Sequence, residues 1–180
     1  MPRLKARLGA RIAVVAGCAA AGAIAAGQAA PWVAAGVGVY LVAAVALVWI
    51  DLDVHRIPDR ILGPTAAGLV VTLLWGGIVE GPQVWLQAAV GAAAFGLPFL
   101  LLALFGPMGR GDVKLAVVTG LLVGPMGWSA GVTAIAGTFL LGGLVGAGML
   151  LRGRRRDDHL AYGPMIIAGA ALAAVTSGVV

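Results

Sequence analysis

Two aspartates in an otherwise apolar chain are the residues best suited to chemistry. Asp112 lies in GRGDVKL, residues 109–115, between two apolar runs, and Asp51 directly follows another apolar run in WIDLDVHRIPDR, residues 49–60. Carboxylates at the edge of hydrocarbon are costly, so they usually face a bundle interior or a wet cavity and mark functional sites. We therefore take Asp51 and Asp112 as candidate catalytic residues.

Two carboxyl groups held close together tend to share one proton. Burial and mutual repulsion raise the pKa of one member, so the titration belongs to the pair. The charged member can take a proton from water so that hydroxide attacks a peptide carbonyl, and the protonated member can donate to the leaving nitrogen. Such a pair would therefore give an aspartyl protease.

The residues around Asp112 suit a site that a peptide approaches closely. Gly109 and Gly111 can adopt backbone conformations closed to other residues and leave no side chain beside the carboxylate, so that a substrate strand can lie close to Asp112. Lys114 is expected to be a membrane-interface anchor or a substrate contact. In a chain with 29 glycines the GxGD string alone is a weak signal, and its place at a membrane boundary gives it weight.

Other acids near Asp51 compete for its role or complement it. Asp53 is the rival for the first catalytic position, and we favour Asp51 because it lies nearer the apolar run. The alternative interpretation of Asp51 is an ordinary helix-end residue. Asp59, after Pro58, is expected to cap the next helix, and both Asp53 and Asp59 are candidate substrate contacts.

The composition is that of a membrane protein. The 180-residue chain is 61% hydrophobic and 11% charged, with a formal net charge of +5. Glycine and alanine dominate, which suits close packing of helices in lipid. Because Cys18 is the single cysteine and no cluster of ligands surrounds His55 or His159, we expect no disulfide, no metal and no cofactor. We expect no nucleic-acid partner, because in a membrane protein the basic residues set the topology.

Seven apolar stretches are long enough, or nearly so, to cross a hydrocarbon core of about 30 Å. We predict an all-α transmembrane bundle that forms one domain over residues 1–180, with spans at 12–28, 31–50, 61–79, 84–105, 113–128, 129–151 and 162–180. The fifth is short and interrupted by Gly124, Pro125 and Gly127, so the count ranges from six to eight. Residues 1–30 could instead form a signal peptide.

The basic residues all fall on one side of this arrangement. The twelve lysines and arginines lie before the first predicted span or in and beside the loops after the second, fourth and sixth, and the opposite side carries only Glu80. The positive-inside rule therefore predicts a cytoplasmic N-terminus, several passes through the plasma membrane, and both aspartates near the cytoplasmic face. Anionic lipid is an expected partner of the basic face.

Three segments, in order, resemble a known family. IDLDVHRIPDRI (50–61), GRGDVKL (109–115) and AYGPMIIAG (161–169) resemble the signatures of the type IV prepilin peptidases, bacterial intramembrane aspartyl proteases with a GxGD active-site string. The resemblance implies that Asp51 and Asp112 are the catalytic pair. It also implies that the substrates are prepilins of type IV pili or pilin-like secretion subunits, which lose a short basic leader.

The chain departs from the longer members of that family. Those members carry an insertion with paired Cys-x-x-Cys motifs and an N-methyltransferase activity, so we expect the short, peptidase-only form. In the third segment Gly163 and Pro164 are expected to set the geometry of the last span rather than to perform chemistry. The alternatives are a proton-coupled transporter, in which the same acids relay protons, and a catalytically inactive pilin-assembly partner.

Overall fold

The computed structural model of the chain describes residues 30–54, 57–106, 108–151 and 162–176, with the backbone alone at 52–54. These residues form α-helices and one 3-10 turn, and the described part of the chain contains no strand. The all-α prediction is confirmed for that part. The predicted span 12–28, the signal-peptide alternative for residues 1–30, and His55 and His159 fall outside the described residues.

The helices follow one another with brief connections. They are α1 Pro31–Val54, α2 Asp59–Glu80, α3 Gln83–Phe105, α4 Arg110–Val123, the 3-10 turn Gly124–Met126, α5 Trp128–Leu151 and α6 Gly163–Thr176. Four of them, α1, α2, α3 and α5, are long and apolar enough to cross a membrane. These four coincide within a few residues with predicted spans, because each is an uninterrupted apolar run bounded by Gly, Pro or charged residues.

The predicted span 113–128 differs most from the observed helix. Helix α4 has 14 residues, which is about 21 Å at the α-helical rise and less than the hydrocarbon thickness of about 30 Å. The chain then turns through Gly124–Met126 to Gly127, whose φ of 105° lies in the left-handed region that favours glycine. The Gly-Pro-Met-Gly sequence therefore ends the helix early.

Helix α4 lies at the centre of the bundle. It contacts each of the other five helices, and Leu115, Ala116 and Thr119 on it are fully buried. Its backbone approaches α3 so closely that a Cβ atom on Gly120 would overlap the carbonyl oxygen of Gly91. Small residues permit this approach, and the resulting van der Waals fit holds helices together in lipid. The central helix is thus the one that begins with the GxGD string.

A buried hydrogen bond holds α1 against α4. The hydroxyls of Tyr40 and Thr119 lie 2.6 Å apart, and each is a polar group that hydrocarbon would not satisfy. From this bond Asp51 lies about 17 Å along α1 and Asp112 about 10 Å along α4 at the helical rise. Because consecutive helices joined by short connections run antiparallel, both distances lead to the same end of the bundle.

Tryptophan side chains close the other end of the bundle. The Trp32 indole Nε1 donates a hydrogen bond of 2.7 Å to Oε1 of Glu80, which ties the start of α1 to the end of α2. The Trp85 indole donates a hydrogen bond of 3.0 Å to the Leu73 carbonyl, which ties α3 to α2. Glu80, the acid predicted for the side opposite the aspartates, therefore lies at the opposite end of α2 from Asp59.

Candidate active site

The Asp51 carboxyl group lies inside the bundle near the end of α1. Its side chain is 4% exposed, and the helix continues to Val54, beyond the end of the predicted span 31–50. A solvated helix-end residue would not be so deeply buried. A carboxylate in this position is costly, so the burial supports a functional reason for Asp51.

Asp112 occupies the first turn of α4. Gly109 is the N-cap residue of this helix, and its carbonyl accepts a hydrogen bond of 3.2 Å from the Asp112 backbone N–H. The residue lies just before the predicted span 113–128 and outside the four long apolar helices. Burial and the negative charge of Asp51 raise the pKa of Asp112 from the ordinary 3.8 to about 6, against an opposing hydrogen bond from the Gly109 backbone. The fold thus brings the two aspartates close enough for their charges to interact.

The two glycines before Asp112 matter because they leave room for neighbouring groups, and not because of an unusual backbone conformation. Gly109 has φ −74° and ψ 144°, which any residue adopts, and the positive-φ glycines of the described residues lie elsewhere. The backbone at positions 109 and 111 therefore does not use the conformations that glycine alone favours. A Cβ atom on Gly109 would lie 3.4 Å from Oδ2 of Asp112, and one on Gly111 would lie 3.0 Å from Cβ of Ile57. Gly111 thus makes room for Ile57, and Gly109 for the carboxylate.

Ile57 connects the three sequence segments. It lies between α1 and α2 and packs on Gly111, and its Cδ1 atom is 3.6 Å from the position that a Cβ atom on Gly163 would take. Gly163 itself is the first residue of α6 and lies against the Asp51 carboxyl group. From the sequence, Gly163 was expected only to set the geometry of the last span, and no role was predicted for Ile57. The joint order of the three segments was the only signal that they meet.

An ion pair links the first turns of α2 and α4. The Lys114 Nζ atom lies 2.7 Å from Oδ1 and 2.8 Å from Oδ2 of Asp59, and both side chains are largely exposed. The N-cap residue of α2 is Pro58, with no side-chain hydrogen bond, so the predicted capping role of Asp59 is wrong. Its carboxylate binds Lys114 because the two helices begin at the same end of the bundle.

Asp53, the rival candidate, lies in the last turn of α1. At about 100° of rotation per residue, its position is about 200° around the helix axis from Asp51. Residues two apart on a helix do not share a face. The helix therefore separates the two candidates, and Asp51 is the one on the face toward Asp112.

An apolar groove of about 340 Å³ lies between α3 and α5, away from the aspartates. Gly120 and Val123 of α4 and Trp128 of α5 contribute to its lining. Gly120 is about 12 Å along the axis of α4 from Asp112 at the helical rise. The groove is thus a separate feature and not part of the carboxylate site.

The chain matches known proteins over a range that includes both aspartates. Residues 38–151 match the model of the type IV leader peptidase family. Proteins named prepilin leader peptidase/N-methyltransferase from Aeromonas hydrophila and Aeromonas salmonicida are each 34% identical over 135 residues, which is 69% of this chain and 44% of the relative. The chain thus spans less than half the length of these curated relatives. No solved structure matches it. Since the family model covers more than half of its residues, the chain belongs to the type IV leader peptidase family.

Proposed function

We propose that this chain is a membrane aspartyl endopeptidase that removes the leader peptide from prepilins or pilin-like secretion subunits. The observation that carries the proposal is the placement of Asp51 near Asp112 in a member of the type IV leader peptidase family: burial, and after it the charge of Asp51, raises the pKa of Asp112 to about 6. Carboxyl groups with separated pKa values are how one site supplies both an acid and a base. The relatives are named for N-methyl transfer as well as for leader cleavage, and we propose only peptide cleavage for this chain.

In the proposed mechanism the two carboxyl groups share one proton. The ionised member takes a proton from a water molecule, and the resulting hydroxide attacks the scissile carbonyl. The protonated member donates to the leaving nitrogen, and the proton taken from water restores the starting state of the pair. The raised pKa of Asp112 keeps a proton available to the pair near pH 6, and the titration belongs to the pair.

The proposed topology places this site at the cytoplasmic face of the plasma membrane. Seven spans, beginning with 12–28, put the N-terminus and all twelve basic residues on the cytoplasmic side. The arrangement of the described acids supports this topology: Asp59, with Lys114, lies at the aspartate end and Glu80 at the other. A prepilin would meet the enzyme before its mature part leaves the membrane.

A basic leader would approach a face that is itself basic. Long-range attraction is therefore weak, and shared binding to anionic lipid is the proposed route of encounter. Asp53 and Asp59 are the proposed local contacts for leader lysines or arginines. Because Asp59 binds Lys114 at 2.7 Å, a leader cation would have to exchange with this lysine.

Co-expression with a candidate prepilin tests the function. The substrate should have a Lys/Arg-rich leader that ends in glycine ahead of a hydrophobic segment, and cleavage is scored by a mobility shift and by intact mass. Processing that requires this chain supports the proposal. A transporter would leave the prepilin uncut, and an inactive assembly partner would co-purify with the uncut form; either result would end the peptidase proposal.

Cleavage is expected to decline as the pH rises above about 6. Burial and the charge of Asp51 raise the pKa of Asp112 to about 6, so the fraction of molecules that keep the shared proton falls about tenfold per pH unit above that value. Rates of prepilin cleavage by the purified protein in detergent, measured at saturating substrate across pH, check this. A rate that stays constant from about pH 6 to about pH 8 would contradict the shared proton.

Removing the exposed ion pair is expected to have a small effect. Such pairs contribute about 0–1 kcal/mol, so Lys114→Gln should slow cleavage by no more than about fivefold. Lys114→Asp places two acids together and should slow it more, and the swapped protein Asp59→Lys/Lys114→Asp should recover most of that loss. Cleavage rates of the three variants at low and high salt provide the measurement. A swapped protein no faster than Lys114→Asp would show that Asp59 and Lys114 do more than pair with each other.

A further inference from the structure

The first residue of α6 lies in contact with the carboxyl group of Asp51. A Cβ atom built on Gly163 would lie 2.6 Å from Oδ2 and 3.3 Å from Cγ of Asp51. Separations under 3.0 Å are ones that real Cβ atoms essentially never show. Position 163 therefore accepts no side chain while the Asp51 carboxyl group stays where it is.

Helix α6 has no room to move away from this contact. Ile166 and Ile167, on its first turn, are buried at 0% and 3% exposure. A Cβ atom on Gly169 would lie 2.5 Å from the Ala134 carbonyl oxygen and 2.9 Å from the Thr138 backbone nitrogen of α5, so the two helices already touch through their backbones. Such packing transmits a local change rather than absorbing it. A methyl group at position 163 must then displace a neighbouring side chain, because α6 as a whole cannot move.

The Asp51 side chain is the part that can yield. It is joined to α1 by two rotatable bonds, whereas the other atom near the added methyl, Cδ1 of Ile57, is 3.6 Å away and in ordinary contact. Relief of a 2.6 Å approach to 3.4 Å or more requires the carboxyl group to move by most of an ångström. The backbone of α1 can stay in place while the carboxyl group turns.

We propose that Gly163 is a positioning residue for Asp51: its missing side chain is what allows the Asp51 carboxyl group to face Asp112. The inference rests on the proposed function, because it gives a residue of the third sequence segment a task in the same reaction. Misplacing a reacting group by about 1 Å can cost about 100-fold in rate. Gly163→Ala is therefore expected to lower kcat about 100-fold with KM changed by less than about twofold.

Turning the Asp51 carboxyl group away from Asp112 also has an effect that a loss of stability would not produce. Burial, and after it the charge of Asp51, raises the pKa of Asp112, so a more distant Asp51 removes part of that rise. The other charged residues on the described helices at this end are Asp53 on α1, Asp59 of α2 with its partner Lys114, Arg60 on α2 and Arg110 on α4. Tyr162 precedes α6, and the described residues of α3 and α5 carry no charge at this end. The alkaline limb of the pH profile should then move to lower pH in Gly163→Ala.

Two other Gly→Ala variants provide matched controls. A Cβ atom on Gly143 of α5 meets nothing within 4 Å, so Gly143→Ala should keep the wild-type rate, pH profile and melting temperature. Gly137→Ala adds a Cβ atom 3.2 Å from Cδ2 of Leu172 in the same α5–α6 interface, a contact that the partly exposed Leu172 side chain can relieve without a shift of α6, so any change in melting temperature should be small. The folded fraction of this variant should keep the wild-type kcat and pH profile. The comparison separates an effect on Asp51 from an effect on the packing of α6.

Chemical labelling tests the contact between Gly163 and the Asp51 carboxyl group without a substrate. Carbodiimide modifies protonated carboxyl groups, so labelling of Asp112, mapped by mass spectrometry from about pH 4 to about pH 8, follows its proton. The labelling midpoint should fall in Gly163→Ala and stay unchanged in Gly143→Ala and Gly137→Ala. If Gly163→Ala keeps the wild-type midpoint, or cleaves at the wild-type kcat, the positioning role is wrong. Failure of the wild-type protein to cleave any prepilin would instead count against the proposed function, since the labelling would still report on Gly163.

Discussion

Asp112→Asn is expected to lower prepilin cleavage by about 10³-fold or more, to the background of the assay. An amide neither accepts the shared proton nor donates one as an acid, so the variant loses both the acid and the base function of that position. The same co-expression assay, scored by mobility shift and intact mass, measures the loss. Full cleavage by Asp112→Asn would refute the aspartyl peptidase mechanism.

The loss should not come from misfolding. The pKa of Asp112 is raised in the folded protein to about 6, so the folded state binds this proton more tightly than the unfolded state does. Stability is therefore lost as the pH rises through the interval between 3.8 and about 6, and ionised Asp112 disfavours the fold above it. Asparagine carries no such charge, so the membrane yield of the variant at neutral pH should equal or exceed that of the wild type.

A matched carboxyl-to-amide substitution at the other end of the bundle controls for general effects. Glu80 accepts the 2.7 Å hydrogen bond from Trp32, and the amide oxygen of glutamine can accept the same bond. Glu80→Gln removes one acid from the chain without touching the aspartate end. It should cleave prepilin at the wild-type rate.

The positions of the long helices could be predicted from the sequence because each is a long apolar run with clear ends. The predicted spans 31–50, 61–79, 84–105 and 129–151 correspond to α1, α2, α3 and α5. The early end of α4 was signalled by Gly124 and Pro125, which interrupt the run. Lipid tails are as apolar as the helix interiors, so the outer and inner faces of these helices carry similar residues. The sequence therefore did not reveal which helices adjoin.

The same reason explains which parts of the candidate site were missed. Asp51 and Asp112 could be found because a carboxylate is conspicuous among apolar residues. The contact of Gly163 with Asp51 depends on where α6 packs. The chain has 29 glycines, and the sequence does not show which residue each of them contacts. Asp59 was placed correctly at the start of α2 but assigned to its own helix, since a sequence does not show that Lys114 of α4 lies within reach. Contacts between helices therefore could not be predicted from the sequence.

Asp51→Asn and Asp53→Asn are expected to differ by about 10³-fold in cleavage. Asp51 is 4% exposed, lies beside Gly163 and interacts with Asp112, so its amide variant should lose cleavage to background. The position of Asp53 is about 200° around the same helix, so Asp53→Asn should retain cleavage within about threefold, as the loss of one contact outside the carboxyl pair would. Both variants replace a carboxyl group with an amide, at positions two residues apart. Each variant is therefore the control for the other.

The double variant sharpens this test. If Asp51 and Asp112 act as one proton-sharing unit, Asp51→Asn/Asp112→Asn should cleave no more slowly than either single variant, because the losses of residues that act together do not add. Carbodiimide labelling of Asp112 should also move to lower pH in Asp51→Asn, since the charge that raises the Asp112 pKa is gone, and should not move in Asp53→Asn. A loss of cleavage in Asp53→Asn with full cleavage in Asp51→Asn would reverse the assignment. The proton would then have to pass between Asp112 and a residue on the opposite side of α1, an arrangement that the antiparallel packing of α1 and α4 through Tyr40 and Thr119 does not favour.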